Sequence, residues 1–415
     1  MKRNLPAALL VITASSLFVL YLFLAYPSEG LAAAIKGTAI WWDVLFPALF
    51  PFFLISELML GFGIVHFFGT LLDPLMRPLF RIPGIGGFVM AMGFASGYPV
   101  GARLTSRLWD QGLINREEGE RLVAFTTSSD PIFLIGAVSV GFFGDMSIAL
   151  ILAAAHYGSA ILLGLLMRFH GPKEVPQPSL NLEKPFRKQK SSLLTRSFEA
   201  MHKARVLDKR PLGVLLKQSI ASSLQLVLIV GGLVVLFSVF LEGLKQSGLL
   251  LLLTIPVKAL LGLAGLPASL CDALVGGLFE VTLGAKAAGQ TAQTALQFKV
   301  AAAAFILSWG GLSVHAQVVS LLHQTNLRYY PFFLARLLHG FMATALVFVL
   351  WKPLALGSHR EALVFQPFTS PLSALDMERY VSFPASLLTL LSLTACLLTI
   401  KLLHWIFKQL YNRLD

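Results

Sequence analysis

The chain has 415 residues, of which 56% are hydrophobic and only 13% charged, and its mean hydropathy is +0.74. Soluble domains carry about a quarter charged residues, so a chain this long and this apolar is a polytopic, all-α membrane protein. The net charge of +12 is spread over loops between apolar runs, where it orients spans in a bilayer; this argues against a nucleic-acid partner. Two cysteines, Cys271 and Cys396, stand far apart in apolar settings and give neither a disulfide framework nor a thiolate metal site.

Lys2 and Arg3 precede an apolar run from Leu5 to Tyr26. At about 20 residues it exceeds the roughly 7–15 of a signal-peptide core and reads as an uncleaved first span. Pro27–Thr38 reads as a short outer loop, Trp41 and Trp42 as an interfacial belt, and Val44–Gly63 as a span kinked at Pro47 and Pro51. Residues 67–82, with Asp73, Arg77 and Arg81 among apolar neighbours, are too charged to cross and should lie in the interface. Gly84–Arg107 is apolar but broken at Ser96-Gly97-Tyr98-Pro99. Each arm is shorter than the ~20 residues of a span, so a re-entrant hairpin is expected. A charged turn, Asp110–Arg121, follows, with Asn115 placed to cap a helix.

Leu122–Phe143 is a span broken at Ser128-Ser129-Asp130-Pro131, and Met146–Met167 returns. Proline removes a backbone donor and bars its predecessor from the helix. At membrane depth such breaks are tolerated only where protein or water lines them. Arg168–Lys217 holds twelve Lys/Arg against four acids and reads as a cytoplasmic, partly disordered loop. The plan then repeats. Ile220–Leu241 is a span, Leu249–Leu263 an interfacial segment, Ala268–Ala288 an interrupted hairpin, Val300–Leu322 a broken span and Tyr330–Leu350 a further span. A loop (352–381) and a last span, about Phe383–Leu403, complete the chain.

GYPVGA (97–102) pairs with EVTLGA (280–285), and AFTTSSDP (124–131) with AFILSWGG (304–311), at offsets of 183 and 180. The first unit starts inward and the second outward, so the expected architecture is two inverted repeats with re-entrant hairpins and broken helices, about eight full spans in all. Arg77, Arg81, Arg103, Arg107, Arg116, Arg121, Arg328 and Arg336 all fall on the cytoplasmic side of this arrangement, as do both termini. The resulting regions are 1–39 (first helix and outer loop), 40–168 (first unit, hairpin 84–107), 169–217 (basic loop), 218–352 (second unit, hairpin 268–288), 353–382 (outer loop) and 383–415 (last helix and basic tail).

The stretches LFPALFPFFLISELMLGFG, GFASGYPVGARL and AFTTSSDPIFLIGAV resemble the YlbJ family of sporulation integral membrane proteins from endospore formers. The likeness is close over about residues 40–145, and the two-unit plan extends it to about residue 350. That family carries a "nucleoside recognition" or Gate domain, similar to parts of concentrative nucleoside transporters, ferrous iron transporters and spore maturation membrane proteins. The resemblance implies a role in making the spore, particularly its cortex, in the membrane of the sporulating mother cell. It names no substrate. The second unit lacks SGYP and SSDP motifs of its own, so the two hairpins are not equivalent.

Asp130 is the sharpest candidate, because an acid at mid-span costs roughly 2.5–3.5 kcal/mol on insertion scales and is retained for function by default. The plain alternative is a carboxyl that caps the second half-helix. Thr126, Thr127, Ser128 and Ser129 supply oxygens beside it, suited to Na⁺ or a polar solute, or else bonded back to their own helix. Ser96, Gly97, Tyr98 and Pro99 form the hairpin tip, a place for backbone amides to meet a ligand or simply a tight turn. Glu280, Thr282, Ser308, Ser313, His315 and Gln317 are the counterparts in the second unit; His315 is a proton relay or a packing residue. No HExxH or Walker motif occurs, and the chain reads as a non-enzyme. The expected activity is movement of a small polar solute, nucleoside-like or cortex-related, coupled to Na⁺ or H⁺, with no other cofactor and no bound metal. A non-transporting structural or signalling protein is the alternative, and a Ser96–His315 intramembrane protease the remote one. Cys, Met and His residues do not cluster near the breaks in sequence, which counts against iron transport. A homo-oligomer in the bilayer is compatible with this composition.

Overall fold

A chain with so few charges must close its backbone hydrogen bonds internally, because a bilayer offers no partners. The computed structural model describes residues 5–171 and 192–358, and in them every regular element is helical. The first half comprises α1 (Leu5–Ala25), α2 (Pro27–Ile40), α3 (Phe46–Gly61), α4 (Ile64–Phe80), α5 (Ile85–Ser96), α6 (Tyr98–Asp110), α7 (Arg116–Thr126) and α8 (Ile148–Met167). Next come α9 (Leu193–Asp208), α10 (Leu212–Gln246), α11 (Leu251–Leu263), α12 (Cys271–Phe279), α13 (Val281–Gln290), α14 (Leu296–Trp309), α15 (Gly311–Leu322) and α16 (Tyr329–Ser358). Two π-helical stretches, Trp41–Leu45 and Ile132–Phe142, join α2 to α3 and follow the break after α7.

Four helical stretches are long and apolar enough to cross a membrane: Ile148–Met167, Leu212–Gln246, Leu296–Leu322 and Tyr329–Leu354. Two sharply bent pairs, α1 with α2 (105°) and α3 with α4 (82°), raise the number to six. The described residues therefore hold four to six spans where the hydropathy pattern suggests seven of the expected eight. Leu122–Phe143 is the main reason, since it divides into two pieces too short to cross alone. The loop 359–382 and the last span, about 383–403, lie outside the described residues.

Pro27–Thr38 is not a loop. Proline at the first helical turn and an Ala-rich stretch start α2, and buried Gly30 and Gly37 let it lie flush against α10. A Cβ on Gly37 would sit 2.9 Å from Ser238 Oγ. Trp41, expected at an interface, instead donates its indole N–H to the Val227 carbonyl of α10 (3.0 Å), over Gly231. The basic loop also contains structure: Ser192 accepts the Thr195 N–H and starts α9, which packs on α4 through Phe67 and Phe198.

α4 buries Val65, Met76 and Phe80 and leaves Leu75 and Leu79 exposed, in keeping with an amphipathic segment. Its Asp73 accepts the Gly84 N–H (2.8 Å) where the hairpin begins. The hairpin is α5–α6, reversed at Gly97 with φ +90°. Asn115 forms the expected cap, a reciprocal capping box with Glu118 at 2.9 Å in both directions. Two of the arginines counted for topology are buried within the protein. Arg121 donates to the Arg81 and His170 carbonyls (2.7 and 2.6 Å), and Arg336 is fully enclosed. The two halves dock crosswise: α6 packs on α15 of the other half, and α13 packs on the Ile132–Phe142 π-helix.

Candidate functional site

Four helices break at the centre of this crossing. The breaks fall at Gly97, at Thr127–Pro131, at Glu280 and at Gly310. They sit at the positions that the 183 and 180 offsets pair, Gly97 with Glu280 and Asp130 with Gly310. Between them lies a cavity of about 40 Å³ whose lining includes Tyr98, Asp130, Glu280, Thr282, Ser313 and Gln317 together with Leu45, Leu49, Val230 and Val234. One water claims about 30 Å³ of liquid, so this space takes a water or a small ion and not a nucleoside.

Asp130 and Glu280 play matching parts. Asp130 Oδ1 accepts the Phe133 N–H (2.8 Å) and Glu280 Oε2 accepts the Leu283 N–H (2.8 Å), each three residues on. Both carboxyls thus start a half-helix whose first N–H groups have no partner within the helix. Each keeps a second oxygen. In Asp130 this is Oδ2, which abuts Gly97. Among the described residues the Ser313 hydroxyl, 1% exposed in the cavity lining, has no hydrogen-bond partner, and neither does Ser96, 0% exposed beside the hairpin tip.

Behind the cavity the break in the first half is tied to the second half by α8 and α16. The Ser129 N–H can only donate, so His156 Nε2 accepts it (3.1 Å) and the ring proton sits on Nδ1, directed at Ser308 Oγ (2.9 Å). Ser128 Oγ is 2.9 Å from the same Nε2. His339 donates to the His156 carbonyl (2.9 Å), and Tyr157 donates to the Ser129 carbonyl (2.9 Å). The guanidinium of Arg336 caps the carbonyl end of α7, donating to Thr127 and to Ala124 (2.7 Å). A cation there complements the negative end of the half-helix.

Seven sequence-derived candidates, Tyr98, Pro99, Asp130, Glu280, Thr282, Ser313 and Gln317, line the cavity. Others have local duties. Thr126 and Thr127 bond back to the Leu122 and Val123 carbonyls (2.7 and 2.8 Å), while Ser128 and Ser308 serve His156. Tyr98 is buried and donates to the Leu307 carbonyl (2.8 Å). His315 is occupied by the Tyr329 hydroxyl (2.7 Å) and the Trp309 carbonyl (3.3 Å), and makes no hydrogen bond to Ser96. A Ser96–His315 dyad is therefore not formed. His156, His339 and Arg336 were missed as residues of the site. Arg336 and His339 share one apolar run, three residues apart on α16, while His156 stands on α8, and only the fold brings it to them. Among the described residues no group of three or more His, Cys, Asp or Glu side chains could hold a metal ion.

Apolar spans packed around broken, polar-lined helix ends define an integral membrane protein with a buried polar centre. A family profile described as "Nucleoside recognition", the Gate domain, matches residues 43–173. The sporulation integral membrane protein YlbJ of Bacillus subtilis is 46% identical over 350 residues, 84% of each chain. An uncharacterized protein of Alkalihalophilus pseudofirmus is 30% identical over 121 residues, 26% of each chain. No solved structure matches. The chain belongs to the YlbJ family of sporulation integral membrane proteins.

Proposed function

We propose that the protein moves a small polar solute across a membrane of the sporulating cell, with the cavity between Asp130 and Glu280 at the centre of the path. The observation that carries this reading is the convergence of four helix breaks on one cavity with a carboxyl from each half. Paired broken helices from two repeats are the usual form of a transporter's midplane site. The matched positions of the breaks support an inverted repeat. Among the described residues no basic side chain lines the cavity, which favours a neutral or cationic solute, nucleoside-like or cortex-related. The carboxyl and hydroxyl oxygens suit a coupling Na⁺ or proton. The cavity is far below the ~300–1,000 Å³ of a small-molecule site, so passage requires the halves to move. In this reading both termini and the 168–217 loop are cytoplasmic, the membrane is the mother cell's, and the loaded solute serves cortex formation.

Asp130→Asn tests the proposal, because the amide oxygen can still accept the Phe133 N–H while the charge is lost. We expect normal membrane abundance and loss of spore formation, with Asp130→Glu retaining more activity. The small-molecule content of spores made with and without the protein should differ in one or a few polar metabolites. Normal spores from properly inserted Asp130→Asn protein, with Ser96→Ala also tolerated, would leave a structural or signalling role in its place.

A further inference from the structure

Three cavities are threaded by one helix. Along α10, residues four apart form a ridge of Ser222, Leu226, Val230, Val234, Ser238 and Glu242, polar at both ends and apolar in the middle. Ser222 lines an open cleft of about 740 Å³, with Glu57 of α3, Arg107 of α6 and Gln111 just after it. Val230 and Val234 wall the central cavity of about 40 Å³. Ser238 and Glu242 line a second open cleft of about 710 Å³, with Lys36 of α2 and Lys286 and Gln290 of α13. The half-helices point from the centre toward opposite clefts. α6 runs from Tyr98 at the centre into the first cleft, and α13 runs from Glu280 at the centre into the second. Twenty residues separate Ser222 from Glu242, about 30 Å at 1.5 Å per residue, which is the thickness of the hydrocarbon core.

We propose that the two clefts are water-filled vestibules at opposite membrane faces, and that the solute's route runs along the α10 ridge, shut in this structure by Leu226, Val230 and Val234. This names the route of the site described above and rests on the transport reading for its purpose, though not for its geometry. The three plug residues are 5%, 3% and 2% exposed. An apolar constriction of this kind excludes water and gates by dewetting. In the first cleft the Arg107 Nε is buried without a partner, a donor that water or a passing solute would satisfy.

The full-length protein, with Cys271→Ala and Cys396→Ala, is given single cysteines and exposed to a membrane-impermeant maleimide from either side. Ser222→Cys should be labelled from one side only and Glu242→Cys from the other only. Val230→Cys should be labelled from neither. Leu228→Cys, on the outer face of α10 at the same depth, should also stay unlabelled and shows that lipid-facing positions do not react. Gln225→Cys and Lys245→Cys replace the vestibule positions if either variant fails to insert. Labelling of both vestibules from one side, of either from neither side, or of Val230→Cys or Leu228→Cys from any side overturns the route. The reagent reports water and not transport, so a tolerated Asp130→Asn would sink the transport reading alone.

Discussion

A Cβ on Gly97 would lie 3.1 Å from Oδ2 of Asp130. The hairpin tip and the broken span therefore meet so closely that a side chain here would have to displace the carboxyl by a few tenths of an ångström. Gly97 also holds φ +90° and ψ 179°, a region that only glycine occupies readily. Gly97→Ala should lower stability by about 1–3 kcal/mol from backbone strain alone. Gly97→Val should cost more and abolish spore formation, because its methyls push on the Asp130 carboxyl. Thermal melts in detergent measure the first effect and spore counts the second; an unchanged melt for Gly97→Val contradicts the contact.

Glu280→Gln keeps the acceptor for the Leu283 N–H and removes the charge, as Asp130→Asn does in the other half. Equal loss of function in both variants, at wild-type abundance, is expected if the carboxyls share one task. A Glu280→Gln protein that supports normal spores while Asp130→Asn does not would confine the charge requirement to the first half.

His156→Leu is similar in bulk but strips the acceptor from the Ser129 N–H and the donor from Ser308. Each buried group left unmade costs about 1–3 kcal/mol, so the melt should fall by several degrees. Ser308→Ala removes one contact and should cost less than half as much. Equal effects would mean that His156 is held by packing alone.

Arg336→Lys should fail to replace arginine. A lysine ammonium is a point charge and cannot reach the Ala124 and Thr127 carbonyls in a planar fork. About 1–3 kcal/mol of stability should be lost, and α7 should fray at its carbonyl end, seen as faster amide exchange near Thr127.

Acid should weaken the tie between α7 and the start of α16. Burial opposes ionisation of Glu120, but hydrogen bonds from Arg328 and His170 outweigh it and hold the carboxyl down at about 2. The folded value lies below the usual 4.5, so the stabilisation is complete above about pH 4.5 and is lost as pH falls toward 2. Melts between about pH 6 and about pH 3 should show this loss in the wild type, with a flatter profile in Glu120→Gln.

The breaks were legible because Gly97-Tyr98-Pro99 and Asp130-Pro131 put proline and charge inside runs that otherwise read as continuous spans. Glu280 and Gly310 were legible only through their fixed distance from the first pair. α2 was not legible, since Pro27, Ser28, Glu29 and Gly30 look like a turn until Gly37 and Gly231 reveal a close helix contact. His156 and Arg336 carry no local signal. Ser308 stands 152 residues from His156 and Thr127 stands 209 from Arg336, so a pattern confined to one segment cannot announce them.

The crosswise docking has a cost in time. Tyr98 waits for the Leu307 carbonyl, and Thr127 for Arg336, each 209 residues further along the chain. At roughly 5–20 residues per second, synthesis takes about 10–40 s to deliver those partners. During that interval the nascent first half presents raw helix ends and an uncovered acid to the membrane. Its insertion machinery must shelter them until the second half emerges.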